Sequence, residues 1–459
     1  MLRNPEFIRN TWTELTLKKL AAMPLLLLTA YWLAYVFNDY LPAFFLPGLC
    51  LFFYSVFTFV WGTRLASETV VKEINSNTWS FQIMTSMSPL KMAVGKLFGS
   101  TIYIWYGNLI CFVLYILSFE LEKDRLGPVS NSVLLTNVLI FALIGLCAQI
   151  LPLLVSLHSI RWRHFFEKFD LTFFQLTGII TAYPLYLIFF SPNRHDTVWW
   201  YGNAYGLKEI VIILAVIFLI WGFIAVVNQI KTEFGQEPYP LAWLLFTLSL
   251  AAILFGFNNG NDYNPLLRYK GSLMAFFAVL GITYLTLCGE SNMALRPHMI
   301  LKYYRTRQYK RLLMIMPRSL ITLPVILGLA LILSAEFTTA GEGPGLSMTF
   351  MTWAMIMFML RDFCFIYLWS LFAQGNEKET TVVPVLIALS TYTIIPALLY
   401  HFNLKIFCPF FMPYFHQSMY LTYNESAFLT LVPPTLEFVL MLAFLLLGIQ
   451  RKIRLLQDL

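Results

Sequence analysis

Residues Glu68–Lys96 read ETVVKEINSNTWSFQIMTSMSPLKMAVGK, a polar and largely uncharged stretch that lies between two long apolar runs. Adjacent membrane spans can be joined by about four residues, so a connection of this length needs a separate reason. The stretch ends at Ser88-Pro89, where the next apolar run begins. Its amphipathic composition predicts a helical segment that docks a partner protein and passes force to the two flanking spans.

Composition decides the class of protein. Of the 459 residues, 59% are hydrophobic and only 12% are charged, and the mean hydropathy is +0.69. These values exclude a water-soluble domain. Runs of about 17 to 25 apolar residues can cross a bilayer as helices, with every backbone group bonded inside the span. The sequence therefore predicts an all-α polytopic membrane protein with about 12 transmembrane helices in two six-helix pseudo-repeats.

The apolar runs give the approximate bounds of the predicted spans. The first six are Leu20–Phe37, Phe44–Trp61, Met92–Leu117, Val133–Leu157, Leu171–Phe190 and Ile210–Val227. The second six are Leu241–Phe257, Ser272–Cys288, Leu320–Ala335, Met348–Phe372, Val382–Tyr400 and Phe428–Ile449. We expect the ninth span to be short and the tenth to be interrupted.

Each half of the chain places its longest inner loop between its second and third spans. We therefore divide the chain into an N-terminal interfacial helix at 1–19, a first six-span unit at 20–230 with a coupling segment at 66–91, and a second six-span unit at 231–459 with a basic inner loop at 289–316. Pro5 occupies a suitable first position for the N-terminal helix. The alternative for this segment is a simple positively charged flank to the first span.

The distribution of Lys and Arg indicates the orientation, because positive loops stay on the cytoplasmic side. Most of the 31 basic residues fall in segments that are inner when both termini are cytoplasmic. The strongest anchor follows the eighth span and contains Arg296, Lys302, Arg305, Arg307, Lys310 and Arg311. Tyrosines interleave with these charges, but such loops more often contact anionic lipids than nucleic acid. We expect a bacterial inner membrane protein with lipid partners and no nucleic acid.

Patterns for catalysis or metal binding are missing from the sequence. The six histidines form no H-x-x-x-H pair and the six cysteines form no C-x-x-C motif. A G-x-x-x-x-G-K-[ST] phosphate loop is also missing, since Gly95-Lys96 lacks the preceding glycine pattern. We therefore expect no catalytic, cofactor or metal site in this chain, which is not predicted to hydrolyse ATP unaided.

Charged residues inside predicted spans are informative, because a charge at membrane depth is unfavourable unless it is paired or hydrated. Arg361 and Asp362 are adjacent in the tenth span and point about 100° apart on a helix, so they need not pair with each other. They either line a hydrated path or mark the edge of a shorter span. Glu437 follows Pro433-Pro434, which predict a broken or re-entrant stretch. Arg361, Asp362 and Glu437 form the candidate translocation path.

The order of motifs in the first half resembles that of the permease subunits of type 2 ABC exporters. Glu68 is followed by a Thr- and Met-rich helix at 78–87, then by Ser88-Pro89, and then by Gly95-Lys96 at the start of a span. The resemblance covers about residues 1–230. The second half shares only the architecture, and its counterpart of the inner segment lacks the Gly-Lys pair. The resemblance implies an export path formed by two six-span units, here fused in one chain.

The resemblance further implies that the coupling segment is a coupling helix seated in a separate cytoplasmic ATPase, present as a homodimer or a pair. ATP and Mg would bind to that partner, and accessory subunits would complete the complex. A lever of this kind needs exposed anchors, which we expect at Glu68, Lys72, Glu73, Thr78, Trp79, Gln82, Thr85 and Ser86. The alternative is an interfacial helix with Trp79 and Phe81 among lipid headgroups.

Two other classes of function fit parts of the sequence. An ion- or proton-coupled secondary transporter also has two six-span halves, and its coupling would involve Arg361, Asp362 and Glu437. Against this class, the short basic loop of major facilitator proteins is replaced by the long segment after the second span. A polytopic membrane enzyme would need a convincing His or acid pair at a span boundary, and the sequence offers none.

Overall fold

The chain divides into two compact units in a computed structural model. The structure describes residues 4–37, 44–85, 87–127, 129–160, 168–189, 197–239, 241–257, 270–290, 302–339, 344–372, 390–392, 394–399 and 431–457, together with Pro42, Ile387, His401 and Phe402. Unit 1 contains Met1–Val198 and Tyr205–Tyr239, and unit 2 contains Trp199–Ala204 and Pro240–Leu459. The sequence places the division slightly earlier, after residue 230.

Unit 1 is helical apart from the two ends of a short β-hairpin, whose tip, Trp199–Ala204, belongs to unit 2. Its helices are α1 (Pro5–Glu14), α2 (Leu17–Val36), α3 (Phe45–Ser55), α4 (Thr63–Asn75), α5 (Trp79–Ile83), α6 (Pro89–Val94), α7 (Ile102–Leu121), α8 (Lys123–Leu126), α9 (Asn131–Ser159), α10 (Lys168–Phe189) and α11 (Leu207–Glu233). The π-helical segment Val56–Gly62 joins α3 to α4. A second π-helical segment, Gly95–Gly99, follows α6 and leads towards α7. Strands β1 (Thr197–Trp200) and β2 (Asn203–Gly206) precede α11.

Unit 2 is also built mainly from apolar helices. They are α12 (Ala242–Phe255), α13 (Lys270–Glu290), α14 (Tyr309–Ile315), α15 (Arg318–Thr339), α16 (Pro344–Phe372) and α17 (Val432–Gln457). At the end of α12, carbonyl groups accept hydrogen bonds from the tip of the hairpin. The Trp200 indole donates to the carbonyl of Ile253 at 2.9 Å, and the backbone N–H of Tyr201 donates to that of Gly256 at 2.7 Å.

The described part of the chain contains nine helices that are long and apolar enough to cross a membrane. They are Leu17–Val36, Phe45–Asn75, Ile102–Leu121, Asn131–Ser159, Leu207–Glu233, Lys270–Leu287, Arg318–Thr338, Thr349–Trp369 and Val432–Arg451. The expectation of an all-α, multi-pass membrane protein is confirmed at this level. The count of 12 stays a prediction, because α10 is not among these nine helices, α12 has only 14 residues, and the predicted eleventh span lies partly outside the described residues.

Three predicted spans differ from the helices observed. The second does not end at Trp61, because the helix continues through the π-helical segment to Asn75. The ninth is not short, since α15 has 22 residues, and the tenth is not interrupted, since α16 runs over 29 residues. Pro433-Pro434 lie in the first turn of α17, where the missing proline N–H groups have no intrahelical partner to lose.

Helix α9 is the centre of unit 1 and packs against α4, α10 and α11. Pro152 within α9 cannot donate to the carbonyl of Ala148, one turn earlier. Gly178 of α10 approaches at this point, so closely that an added Cβ would lie 2.2 Å from the Ala148 oxygen and 2.6 Å from Pro152 Cγ. Small residues permit such close helix pairing inside membranes, where burial of apolar surface alone gives little driving force.

We expect Gly178→Leu to destabilise unit 1 by about 1–3 kcal/mol, because the backbone of α9 cannot move aside for a larger residue. Gly48→Leu is the matched control, since a Cβ at Gly48 meets nothing within 4 Å. Thermal unfolding of the purified protein in detergent measures the difference. Equal midpoints for the two variants would contradict the close approach of α10 to α9.

Candidate functional site

The coupling segment begins with a sharp turn at the end of α4. Asn77 has a φ of 57°, a left-handed conformation that Asn adopts more readily than most residues. The N–H of Thr78 donates to the carbonyl of Glu73 at 2.8 Å, and the N–H of Asn77 donates to that of Ile74 at 2.9 Å. This pair of bonds is a Schellman motif, which satisfies the last carbonyls of α4 and turns the chain into α5.

The return to the membrane starts at the Ser-Pro pair. Ser88 caps α6 by accepting from the N–H of Lys91 at 3.4 Å, and Pro89 takes the first helical position. Helix α6 then continues into the π-helical segment Gly95–Gly99. The coupling segment is therefore held at both ends by helices that continue into spans, because α4 is also the continuation of α3.

Four charged side chains and one side-chain amide meet close to the turn between α4 and α5. We name them the Lys96 cluster: Glu6, Arg9, Glu73, Gln82 and Lys96. Lys96 is fully buried and forms ion pairs with Glu73 and, at 3.4 Å, with Glu6. Arg9 bridges the same two carboxylates, with 2.8 Å to Glu6. Gln82 donates its amide to Glu73, and the Lys96 ammonium lies 5.2 Å from the centre of the Trp79 ring.

The Lys96 cluster is electrically balanced, with two carboxylates and two cations. Balance matters because an unpaired charge in a buried site carries a desolvation penalty of several kcal/mol. Glu6 and Glu73 are 3% and 6% exposed, so neither carboxylate is stabilised by bulk water. The cluster thus needs residues from α1, α4, α5 and the third span at the same time.

Helix α1 is held against the start of the third span by hydrogen bonds as well as by ion pairs. Asn4 donates to the carbonyl of Lys91 at 2.6 Å, and Asn10 donates to that of Gly95 at 3.3 Å. A Cβ at Gly95 would lie 2.7 Å from Cβ and Cγ of Glu6, so only glycine lets α1 approach this closely. Pro5 is the first residue of α1, as predicted.

Exposure within the coupling segment differs from the expectation of exposed anchors. Glu73, Trp79 and Gln82 are buried, at 6%, 7% and 8% exposure, because they surround Lys96. The expectation that these three side chains are exposed is therefore wrong. The exposed apolar side chains of the turn are instead Phe81 and Met84, at 71% and 82%. We name Phe81 and Met84 the apolar tip.

The other predicted partner contacts lie at or near the surface. Thr78 and Thr85 are exposed on either side of the apolar tip, whereas Ser86 lies outside the described residues. Lys72 is exposed and pairs with Glu68 at 3.3 Å, one turn earlier on α4. Both line a cleft of about 280 Å³ between α1 and α4, together with Arg9, Thr13 and Glu14.

Unit 2 repeats the turn of the coupling segment. Arg307 has a φ of 54°, its N–H donates to the carbonyl of Tyr304, and the N–H of Gln308 donates to that of Tyr303. A short helix, α14, follows this Schellman motif, and the span α15 begins after Pro317. The order of turn, short helix, proline and span is the same as in unit 1, although the surface here is basic.

The predicted translocation residues converge in unit 2. We name Tyr284, Arg361, Asp362, Tyr392 and Glu437 the Arg361 cluster. Arg361 and Asp362 do pair with each other, with Asp362 Oδ1 accepting from Arg361 Nε at 3.0 Å and from Nη2 at 2.9 Å. Arg361 Nη1 also bonds Glu437. The pair lies within the candidate span Thr349–Trp369 of α16.

Comparison with models of known protein families, with characterised proteins and with solved structures gives no match to this chain. The resemblance to exporter permeases therefore rests on the motif order in the first half alone. Sequence reasoning missed Glu6, Arg9, Tyr284 and Tyr392 as members of the two clusters. The only signal for the first cluster was a lysine that opens an apolar run, since such a lysine requires an acidic partner.

Removing one charge from the Lys96 cluster has a predictable result. We expect Lys96→Met to lower stability by about 3–5 kcal/mol, because Glu6 and Glu73 would then share Arg9 alone. Lys96→Met combined with Glu73→Gln leaves one acid and one cation, so the double variant should be more stable than Lys96→Met. Thermal unfolding of the unchanged protein, of Lys96→Met, of Glu73→Gln and of the double variant tests this, and losses that simply add would contradict the charge balance.

Proposed function

We propose that this chain is the transmembrane permease of an ATP-driven exporter of ABC type 2, which moves a substrate across a bacterial inner membrane. The observation that carries the proposal is the apolar tip. Phe81 and Met84 project from a turn whose base is fixed by buried ion pairs to two spans. Exposed large apolar residues on a short, rigidly held helix are suited to docking a partner protein.

The mechanics of the proposal follow from the connections of the turn. A push on α5 acts on α4 through Glu73 and on the third span through Lys96, because both groups belong to one buried cluster. Helices transmit such displacements with little bending, and packed clusters resist continuous deformation. Movement of a docked ATPase would therefore displace the second and third spans together, with α1 following through Glu6 and Asn10.

The ATPase is proposed as a separate cytoplasmic subunit, present as a homodimer or a pair. This chain has no phosphate loop in its sequence, so ATP and Mg would bind to the partner. The second turn, at Arg307, offers a second docking position with exposed Tyr304 and Tyr309 among basic side chains. The predicted anchors Lys72, Thr78 and Thr85 would contribute polar contacts around the apolar tip of unit 1.

The test is a pull-down of the tagged chain in mild detergent, followed by identification of co-purified chains and an ATPase assay. We expect a stoichiometric ATPase to be recovered with the unchanged chain. Phe81→Asp with Met84→Asp should weaken its retention roughly thirtyfold, as for loss of a central interface contact of about 2 kcal/mol. Leu121→Asp is the control, because Leu121 is 52% exposed at the opposite end of α7.

Two results would contradict the proposed function. One is a monodisperse chain that carries no ATPase although it is folded. The other is equal retention of the ATPase by the tip variant and by the Leu121→Asp control. A tip variant that keeps its ATPase but is lost from the membrane would assign Phe81 and Met84 to lipid headgroups, which was the alternative for this segment.

A second candidate, an ion- or proton-coupled secondary transporter, is favoured by the Arg361 cluster. Buried ionisable groups in the middle of spans are typical of coupling sites in such transporters. If this candidate is correct, collapsing the proton gradient with an uncoupler should abolish transport even though ATP is supplied. For the exporter, transport should instead follow ATP and be insensitive to the uncoupler. Transport into inverted membrane vesicles distinguishes the two.

A further inference from the structure

Asp362 is surrounded by donors in the Arg361 cluster. Its Oδ1 accepts from Nε and Nη2 of Arg361, at 3.0 and 2.9 Å. Its Oδ2 accepts from the hydroxyl of Tyr284 at 2.9 Å and from that of Tyr392. Four donor atoms from three residues therefore occupy both oxygens of this carboxyl group. Asp362 is 3% exposed and is the natural counter-ion of Arg361.

Glu437 has a poorer set of contacts. Its one hydrogen bond within the described part of the chain comes from Arg361 Nη1, and its other oxygen has no donor there. The side chain of Glu437 is 23% exposed, whereas that of Asp362 is 4% exposed. Among the described residues, the charged groups that face it are the guanidinium of Arg361 and the carboxylate of Asp362 on α16, with the hydroxyls of Tyr392 and Tyr284 behind them.

The charges of the Arg361 cluster do not balance. With both carboxyls ionised, Arg361, Asp362 and Glu437 sum to one negative charge, whereas the Lys96 cluster sums to zero. An excess charge inside a span is unfavourable, and the group that carries it neutralises more readily than it stays charged. Four hydrogen bonds reach Asp362 and only one reaches Glu437 within the described part of the chain, so we assign the excess charge to Glu437.

We propose that Glu437 is a proton-binding site within the membrane-spanning part of unit 2. The proton adds to the oxygen of Glu437 that lacks a donor, and the cluster becomes neutral without breaking the Arg361–Asp362 pair. Loss of the proton restores one excess negative charge, which Arg361 then shares between two carboxylates. Of the two carboxyl groups of the cluster, Glu437 is the less enclosed by protein, with 23% of its side chain exposed against 4% for Asp362.

Dicyclohexylcarbodiimide reads out this state directly. A protonated carboxyl adds its O–H across a C=N bond of the reagent, with the oxygen going to carbon and the proton to nitrogen, and an ionised carboxylate does not. We expect labelling of Glu437 in membranes, located by mass spectrometry, that falls as the pH is raised. Glu68 is the matched internal control, because its side chain is 24% exposed and it pairs one-to-one with Lys72.

Two substitutions separate proton binding from mere reactivity. Glu437→Gln must abolish the label at this position. Asp362→Asn leaves Arg361 with a single carboxylate, so Glu437 should stay ionised and its labelling at fixed pH should fall roughly tenfold. A loosened structure would raise labelling instead, so the direction of the change is informative. Monodispersity of each variant in detergent confirms that it is folded.

Several outcomes would overturn the proposal. They are labelling of Glu68 equal to that of Glu437, labelling that does not depend on pH, and labelling that is unchanged or increased in Asp362→Asn. The proposal concerns the Arg361 cluster alone and does not depend on an ATPase docking at the apolar tip. Failure of the pull-down therefore leaves it standing, and failure of the labelling leaves the exporter proposal standing.

Discussion

The assembly of the first half of this protein depends on a lysine without any solvent exposure. Lys96 opens an apolar span, and its charge is tolerable only because Glu73 and Glu6 are brought to it. Those two carboxylates belong to α4 and α1, so a single desolvated ammonium requires the turn, the amphipathic helix and the span to assemble together. The glycine beside it gives α1 room to approach, and the Schellman motif at Asn77 aims Trp79 and Gln82 back towards the same charge.

The sequence predicts the class of fold well, because hydropathy is a local property and each span carries its own signal. It also predicts the start of α6, since Ser88-Pro89 contains its own capping chemistry. The surface of the coupling segment could not be predicted in this way. Trp79 and Phe81 are two residues apart and equally plausible as exposed anchors. Which of them is buried depends on Lys96, which follows 17 residues after Trp79.

Unit 2 shows the same division between local and distant information. The adjacency of Arg361 and Asp362 says little about pairing, because side chains on a helix diverge. They pair nonetheless, because the long side chain of Arg361 bends back until its guanidinium reaches Asp362. The hydroxyls of Tyr284 and Tyr392, which belong to other helices, hydrogen-bond to the same pair. By contrast, the turns at Asn77 and Arg307 share their hydrogen bonds while their surfaces differ in charge. The backbone pattern is common to both units, whereas the side chains suit each turn to a different surface.

The separation of Glu6 and Lys96 by 90 positions has a consequence for the synthesis of this protein. At a translation rate of about 5–20 residues per second, several seconds pass between the appearance of the first acid and that of its buried partner. Glu73 is also made before Lys96, so both carboxylates are made before the ammonium group with which they pair. The N-terminal helix therefore cannot complete its contacts when it is made. Those contacts form only after the start of the third span has been synthesised.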